Sequence, residues 1–210
     1  MYIQPIADDQ TDSRVAALYA ADEARLGYVA NYTRAFSRRP DVYAAWKQLN
    51  GAVRANMDPQ RYELATMAAA AQLRSSYCML AHGQALTGLN FAADQVAAVA
   101  SDYRRAGLPE REVAIMVFAE KIARHADQVN AEDIEGLRRH GLSEDDILDV
   151  ALAAAARCIF SKLLDSLGVQ PDPVTQRLEP GLRTALTVGR PIADQAVTAR
   201  SEQSGPDPAR

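Results

Sequence analysis

The chain has 210 residues, a net charge of −4 and a residue mix that is nearly half hydrophobic, enough for one good core and short for two. The acidic balance and scattered basic residues argue against nucleic acid as a partner, since phosphate binding needs a basic face. No stretch approaches the ~20 apolar residues of a membrane span, and two cysteines are too few for a disulfide scaffold. Met1-Tyr2-Ile3-Gln4-Pro5 has no basic region leading into an apolar run, so a cytoplasmic location with both thiols reduced is expected.

Taken in order, residues 11–27 predict a helix, with Ala16, Ala17, Ala20, Ala21 and Ala24 on one side and Gly27 to end it. A second helical stretch follows Arg39-Pro40, with Val42, Trp46 and Leu49 at helical spacing. Asp58-Pro59 is a start signal, a capping carboxylate followed by a proline whose missing N–H would lack a partner anyway. That helix runs through Tyr62, Leu64, Met67 and Ala71. Ser75-Ser76 breaks the apolar pattern, and one of the two is the expected N-cap of the next helix. Gly88 and Asn90 mark its end, and a helix over 93–105 closes at Gly107.

Pro109-Glu110 opens a further helix, Asn130 caps another that stops at Gly141, and Ser143-Glu144-Asp145-Asp146 has the form of a capping box. The box starts the longest helix, through Ile147, Ile159 and Leu167 to Gly168. Residues 171–192 contain prolines and a weak apolar pattern, as in a segment packed over a surface or a neighbour, and 193–210 read as a polar, flexible tail. With no persistent period of two, the fold class expected is all-α, with seven or eight helices.

Cys78 and His82 stand four apart on one predicted helix and so share a face. An imidazole beside a thiol and the free N–H groups of a first helical turn both favour the thiolate, the reactive form of sulfur. With Ser75 as N-cap, Cys78 is the third helical residue. Glu63 lies fifteen residues before Cys78. On one straight helix that is ~22 Å, so it meets His82 only if the two helices fold back on each other.

Plainer readings stand beside these. A free buried cysteine is often packing, Glu63 suits an exposed first turn, and Cys158 reads as a small core residue. Tyr77 and Trp46 are core or interface aromatics, and His125 and His140 are helix-end residues without chemistry. Cys78, His82 and Glu63 lack a fourth ligand, so neither a metal nor another cofactor is expected.

Arg61-Tyr62-Glu63-Leu64 followed by Ser75-Ser76-Tyr77-Cys78-Met79-Leu80-Ala81-His82 resembles the motif of the alkylhydroperoxidase D-like (AhpD-like) and carboxymuconolactone decarboxylase family, peroxidase-related branch. That motif is Glu, eleven residues, Cys, two residues, Cys, three residues, His. The resemblance extends over most of residues 25–190. It implies an AhpD-like helical bundle over residues 1–192, with the motif region at about 40–125, that assembles into a homo-oligomer. It also implies a peroxidase-type oxidoreductase with Cys78 as nucleophile, His82 as base or relay and Glu63 as the group orienting His82.

Ser75 stands where the motif has its first cysteine, and a hydroxyl forms no disulfide. Cys78 then acts as a single-cysteine peroxidase on a hydroperoxide, resolved by an external thiol, or Cys158 resolves it, or the site does redox-free acid–base chemistry on a small carboxylic acid or lactone. A helical oligomeric module without catalysis is the remaining alternative. Ser75 is carried as a candidate site residue with Cys78, His82 and Glu63.

Overall fold

The computed structural model describes residues 1–194. Among them are ten α-helices, four short 3-10 turns and no strand, so the all-α expectation holds. In chain order the helices are α1 Ser13–Leu26, α2 Asn31–Phe36, α3 Pro40–Asn56, α4 Pro59–Gln72, α5 Ser76–Thr87, α6 Ala93–Asp102, α7 Glu110–His125, α8 Ala131–Arg139, α9 Glu144–Ser166 and α10 Pro180–Leu186.

The start signals operate as their chemistry requires. Asp58 accepts from Arg61 N at 3.0 Å with Pro59 in the first turn of α4. Asn130 and Ser143 each form a capping box at the head of α8 and α9. Two helices, α2 and α10, were not anticipated. In α2 the first turn has no side-chain cap and buries Asn31, Thr33 and Arg34, so no apolar period announces it. In α10, Glu179 caps Gly181 and Leu182 and Pro180 opens the helix, but only Leu182 and Leu186 are buried, too few to make a pattern.

At the centre lies α4, packed between α7, α9 and α5. Its Ala65, Ala68, Ala69 and Ala70 are all buried, and these short side chains let three neighbours approach closely. Burial of Leu64 and Met67 contributes about 1.5–3 kcal/mol each. A helix apolar all round is one enclosed by others, which explains why α4 also buries Tyr62, Glu63 and Thr66. One apolar cluster draws on every helix from α2 to α10.

The turn between α4 and α5 reverses the chain at Arg74, which has φ of +53°. The α10 helix then packs on α5 at Gly83, where a Cβ would stand 2.6 Å from Leu186 Cδ1. Beyond α10 the chain crosses the head of α5, with Gly189 N donating to Ser76 Oγ at 2.7 Å. It then reaches back to the end of α9 through Arg190 Nη2 to Asp165 O at 2.8 Å. The segment predicted to lie over a surface therefore does so. The predicted polar tail falls outside the described residues from 195 onward. Among the described residues no helix is long and apolar enough to cross a membrane.

Candidate active site

The reversal at Arg74 turns α5 back along α4 and brings Glu63 to His82. Glu63 Oε2 and His82 Nδ1 are 2.5 Å apart, and Arg54 Nη2 of α3 takes Glu63 Oε1 at 3.5 Å. Glu63 is 3% exposed, which rules out the exposed first-turn reading. A carboxylate only accepts, so the proton of the neutral imidazole is assigned to Nδ1, and Nε2 keeps its lone pair.

Cys78 is the third residue of α5, as expected, and is buried. Its sulfur is not held by His82. Ser161 Oγ donates to Cys78 Sγ at 3.1 Å and Arg157 Nη1 at 3.4 Å, both from α9. Arg157 Nη2 donates to Tyr62 OH at 3.5 Å, and Tyr62 OH donates to Asn50 Oδ1 of α3 at 2.8 Å. Burial works against the Arg157 charge, but the Cys78 sulfur and Tyr62 phenol outweigh it and raise its pKa above the ordinary value. Arg157 stays cationic. The expectation that an imidazole one turn away partners the thiol is corrected: the group at the sulfur is a guanidinium.

Cys78 and His82 both line one open cavity of about 400 Å³, together with Trp46, Arg54, Arg157 and Phe160. On α3, Trp46, Asn50 and Arg54 recur every fourth residue and so present one face. On α9, Arg157 and Ser161 do the same. Trp46 stacks on Phe160 with ring centres 5.1 Å apart, and Arg157 Cζ lies over the Phe160 ring, 5.5 Å from its centre.

Two candidates are not gathered into this site. Ser75 is fully buried at the N-cap position of α5, but its hydroxyl makes no cap bond and does not line the cavity. It lies toward Asp165 of α9, where it helps hold down a carboxyl that burial raises. Cys158 is half-buried, not core, with its thiol pushed up chiefly by burial, and it too is absent from the cavity wall. Arg157, Ser161, Tyr62 and Asn50 were missed. Arg157 sits inside an alanine-rich run, and a charge there was the signal that could have found it, since arginine is rarely buried without a partner.

Burial, with Arg157 next, pushes His82 from 6.5 down to about 4 against the opposing pull of Glu63. Between those values the unfolded chain binds a proton that the folded chain does not, so stability present above pH 6.5 is lost as pH falls through 4. The thermal midpoint is therefore expected to fall less steeply from pH 7 to 4.5 in His82→Gln than in the wild type. Parallel curves would mean that folding leaves the His82 titration unchanged.

The carboxymuconolactone decarboxylase family matches residues 40–121, the stretch that contains Glu63, Cys78 and His82. Among curated proteins none matches the sequence. Solved structures share the fold. An alkylhydroperoxidase AhpD core, an uncharacterized peroxidase-related protein from Ralstonia eutropha JMP134, is 23% identical with a TM-score of 0.73, covering 89% of this chain and 96% of that one. A peroxidase-related protein from Silicibacter sp. TM1040 is 21% identical with a TM-score of 0.75, covering 83% and 92%. A debrominase, solved in complex with 2,3,4-tribromopyrrole, is 16% identical with a TM-score of 0.68, covering 89% and 96%. With the match over its motif region and this all-helical architecture throughout, the chain resembles the carboxymuconolactone decarboxylase family over residues 40–121 and has the AhpD-like fold.

Proposed function

We propose that the protein is a thiol-dependent, peroxidase-type oxidoreductase that reduces a small hydroperoxide at Cys78. The observation that carries this reading is a buried cysteine among the residues that line an open cavity, its sulfur in contact with a buried guanidinium. A sulfur anion formed there meets a fixed positive charge and a hydroxyl donor, which lowers the cost of the nucleophile.

His82 is neutral at pH 7 and lines the same cavity as Cys78, and in this reading it relays the thiol's proton to the leaving oxygen as the O–O bond breaks. The sulfur attacks the outer peroxide oxygen, the O–O bond breaks, and the leaving alkoxide takes that proton. The products are one alcohol and Cys78 sulfenic acid. An external thiol condenses with the sulfenic acid, releasing water and leaving a mixed disulfide, and a second thiol frees Cys78 as a new disulfide forms. Ser75 takes no part in this cycle, and neither does Cys158.

One equivalent of cumene hydroperoxide, followed by a sulfenic-acid trap and mass spectrometry, is expected to label Cys78. Peroxide consumption with a thiol donor is expected to vanish in Cys78→Ala. Labelling of Cys158 with Cys78 untouched would sink the proposal.

A second reading rests on the Glu63–His82 pair, which is complete without sulfur: acid–base chemistry on a small carboxylic acid or lactone. Activity on such a substrate that survives Cys78→Ala would favour it.

A further inference from the structure

We propose that the cavity over Cys78 selects an aromatic anion, an aryl ring carrying a carboxylate. This inference rests on the cavity being the binding site of the proposed function and names the class of hydroperoxide it takes, one whose organic part is an aryl ring bearing a carboxylate. Four basic side chains line the cavity, Arg25, Lys47, Arg54 and Arg157, and no carboxylate does. Two of those cations are offset from behind the wall. Arg25 meets Asp22 and Arg54 meets Glu63.

Arg157 is turned to the sulfur and Tyr62. Lys47 is the exception: its ammonium lies 4.9 Å over the Tyr43 ring, and it has no carboxylate partner among the described residues. The lining thus has surplus positive charge in a chain whose overall charge is negative, a local reversal that favours an anionic occupant.

The rest of the wall is aromatic. Tyr32, Tyr43, Trp46 and Phe160 share it, held by edge and stacked contacts with ring centres 5.1–6.1 Å apart. Flat faces of this kind favour a planar ring over an aliphatic chain of equal size. A volume of about 400 Å³ suits a ligand of that scale.

Trp46 is the sole tryptophan, so its fluorescence reports occupancy without a label. The experiment titrates the protein with phenylacetate, phenylacetamide, phenethylamine and cyclohexylacetate, four probes that separate charge from ring. Saturable quenching by phenylacetate is expected below about 1 mM, and at least about tenfold weaker binding of the other three. Lys47→Met is expected to weaken phenylacetate by about fivefold or more and to leave phenylacetamide unchanged. Equal affinity for the acid and the amide, equal affinity for the aryl and cyclohexyl acids, or no saturable change with any probe would overturn the proposal. Peroxide labelling of Cys78 is scored separately. Selective phenylacetate binding without that labelling refutes the peroxidase and leaves the aryl-acid site, and the reverse pattern does the opposite.

Discussion

Arg157→Met is expected to slow alkylation of Cys78 by iodoacetamide at pH 7 about a hundredfold, without lowering the stability of the fold. A unit charge 3.4 Å from the sulfur is worth on the order of 5 kcal/mol at an effective dielectric of about 20. About half of that surviving desolvation gives a factor of a hundred. Stability should move the other way. The guanidinium is buried and its contacts are a thiol, a phenol and the Phe160 ring. None of these is left as a stranded charge when it goes, and replacing a buried charge with an apolar side chain of similar length is often neutral or stabilising.

Methionine also has the reach to refill the space. Arg157→Lys keeps the charge and loses the two-pronged contact with Cys78 and Tyr62, so an intermediate rate is expected. The measurement is pseudo-first-order alkylation of Cys78 by peptide mass spectrometry, beside thermal melts of the three proteins. An unchanged alkylation rate in Arg157→Met would show that the guanidinium has no role in preparing the sulfur.

Gly189→Ala is expected to cost about 3 kcal/mol or more and to lower the thermal midpoint by about 6–12 °C. A Cβ on residue 189 would lie 1.9 Å from Arg74 O and 3.1 Å from Arg74 C. Both are backbone atoms, so no side chain can swing aside to make room. Arg74 is itself fixed in the left-handed region at φ +53°, which costs a non-glycine residue roughly 1–2 kcal/mol. It cannot move without disturbing the turn that lays α5 against α4.

The strand of chain after α10 must instead lift from the head of α5, breaking the Gly189 N to Ser76 Oγ bond. Hydrogen exchange should then rise first at residues 187–193 and at the first turn of α5. A midpoint within about 2 °C of the wild type would mean that this crossing contributes little to the fold.

The parts of this molecule that follow local rules were legible in the sequence. Asp58-Pro59, Asn130 and the Ser143 box stop or start helices through bonds that span three residues, and each did so. Cys78 as third residue of α5 followed from the same logic. The site was legible only as far as its motif. Spacing put Cys78 and His82 on one turn, but the sulfur's partners come from seventy-nine and eighty-three residues away, and no periodicity encodes a contact at that separation. Arg157 looked like one more polar residue in an alanine-rich helix because α3, α4 and α5 decide which side of α9 is inside. The short helices α2 and α10 failed for the opposite reason, since each is stabilised by what it touches more than by its own pattern.

The line from Asn50 through Tyr62 and Arg157 to the Cys78 sulfur crosses four separate helices and depends on all of them being docked. Thiol chemistry in this protein is consequently a gauge of tertiary docking. Under mild denaturant, an altered rate of Cys78 modification will register the parting of α9 from α3 before circular dichroism records any loss of helix.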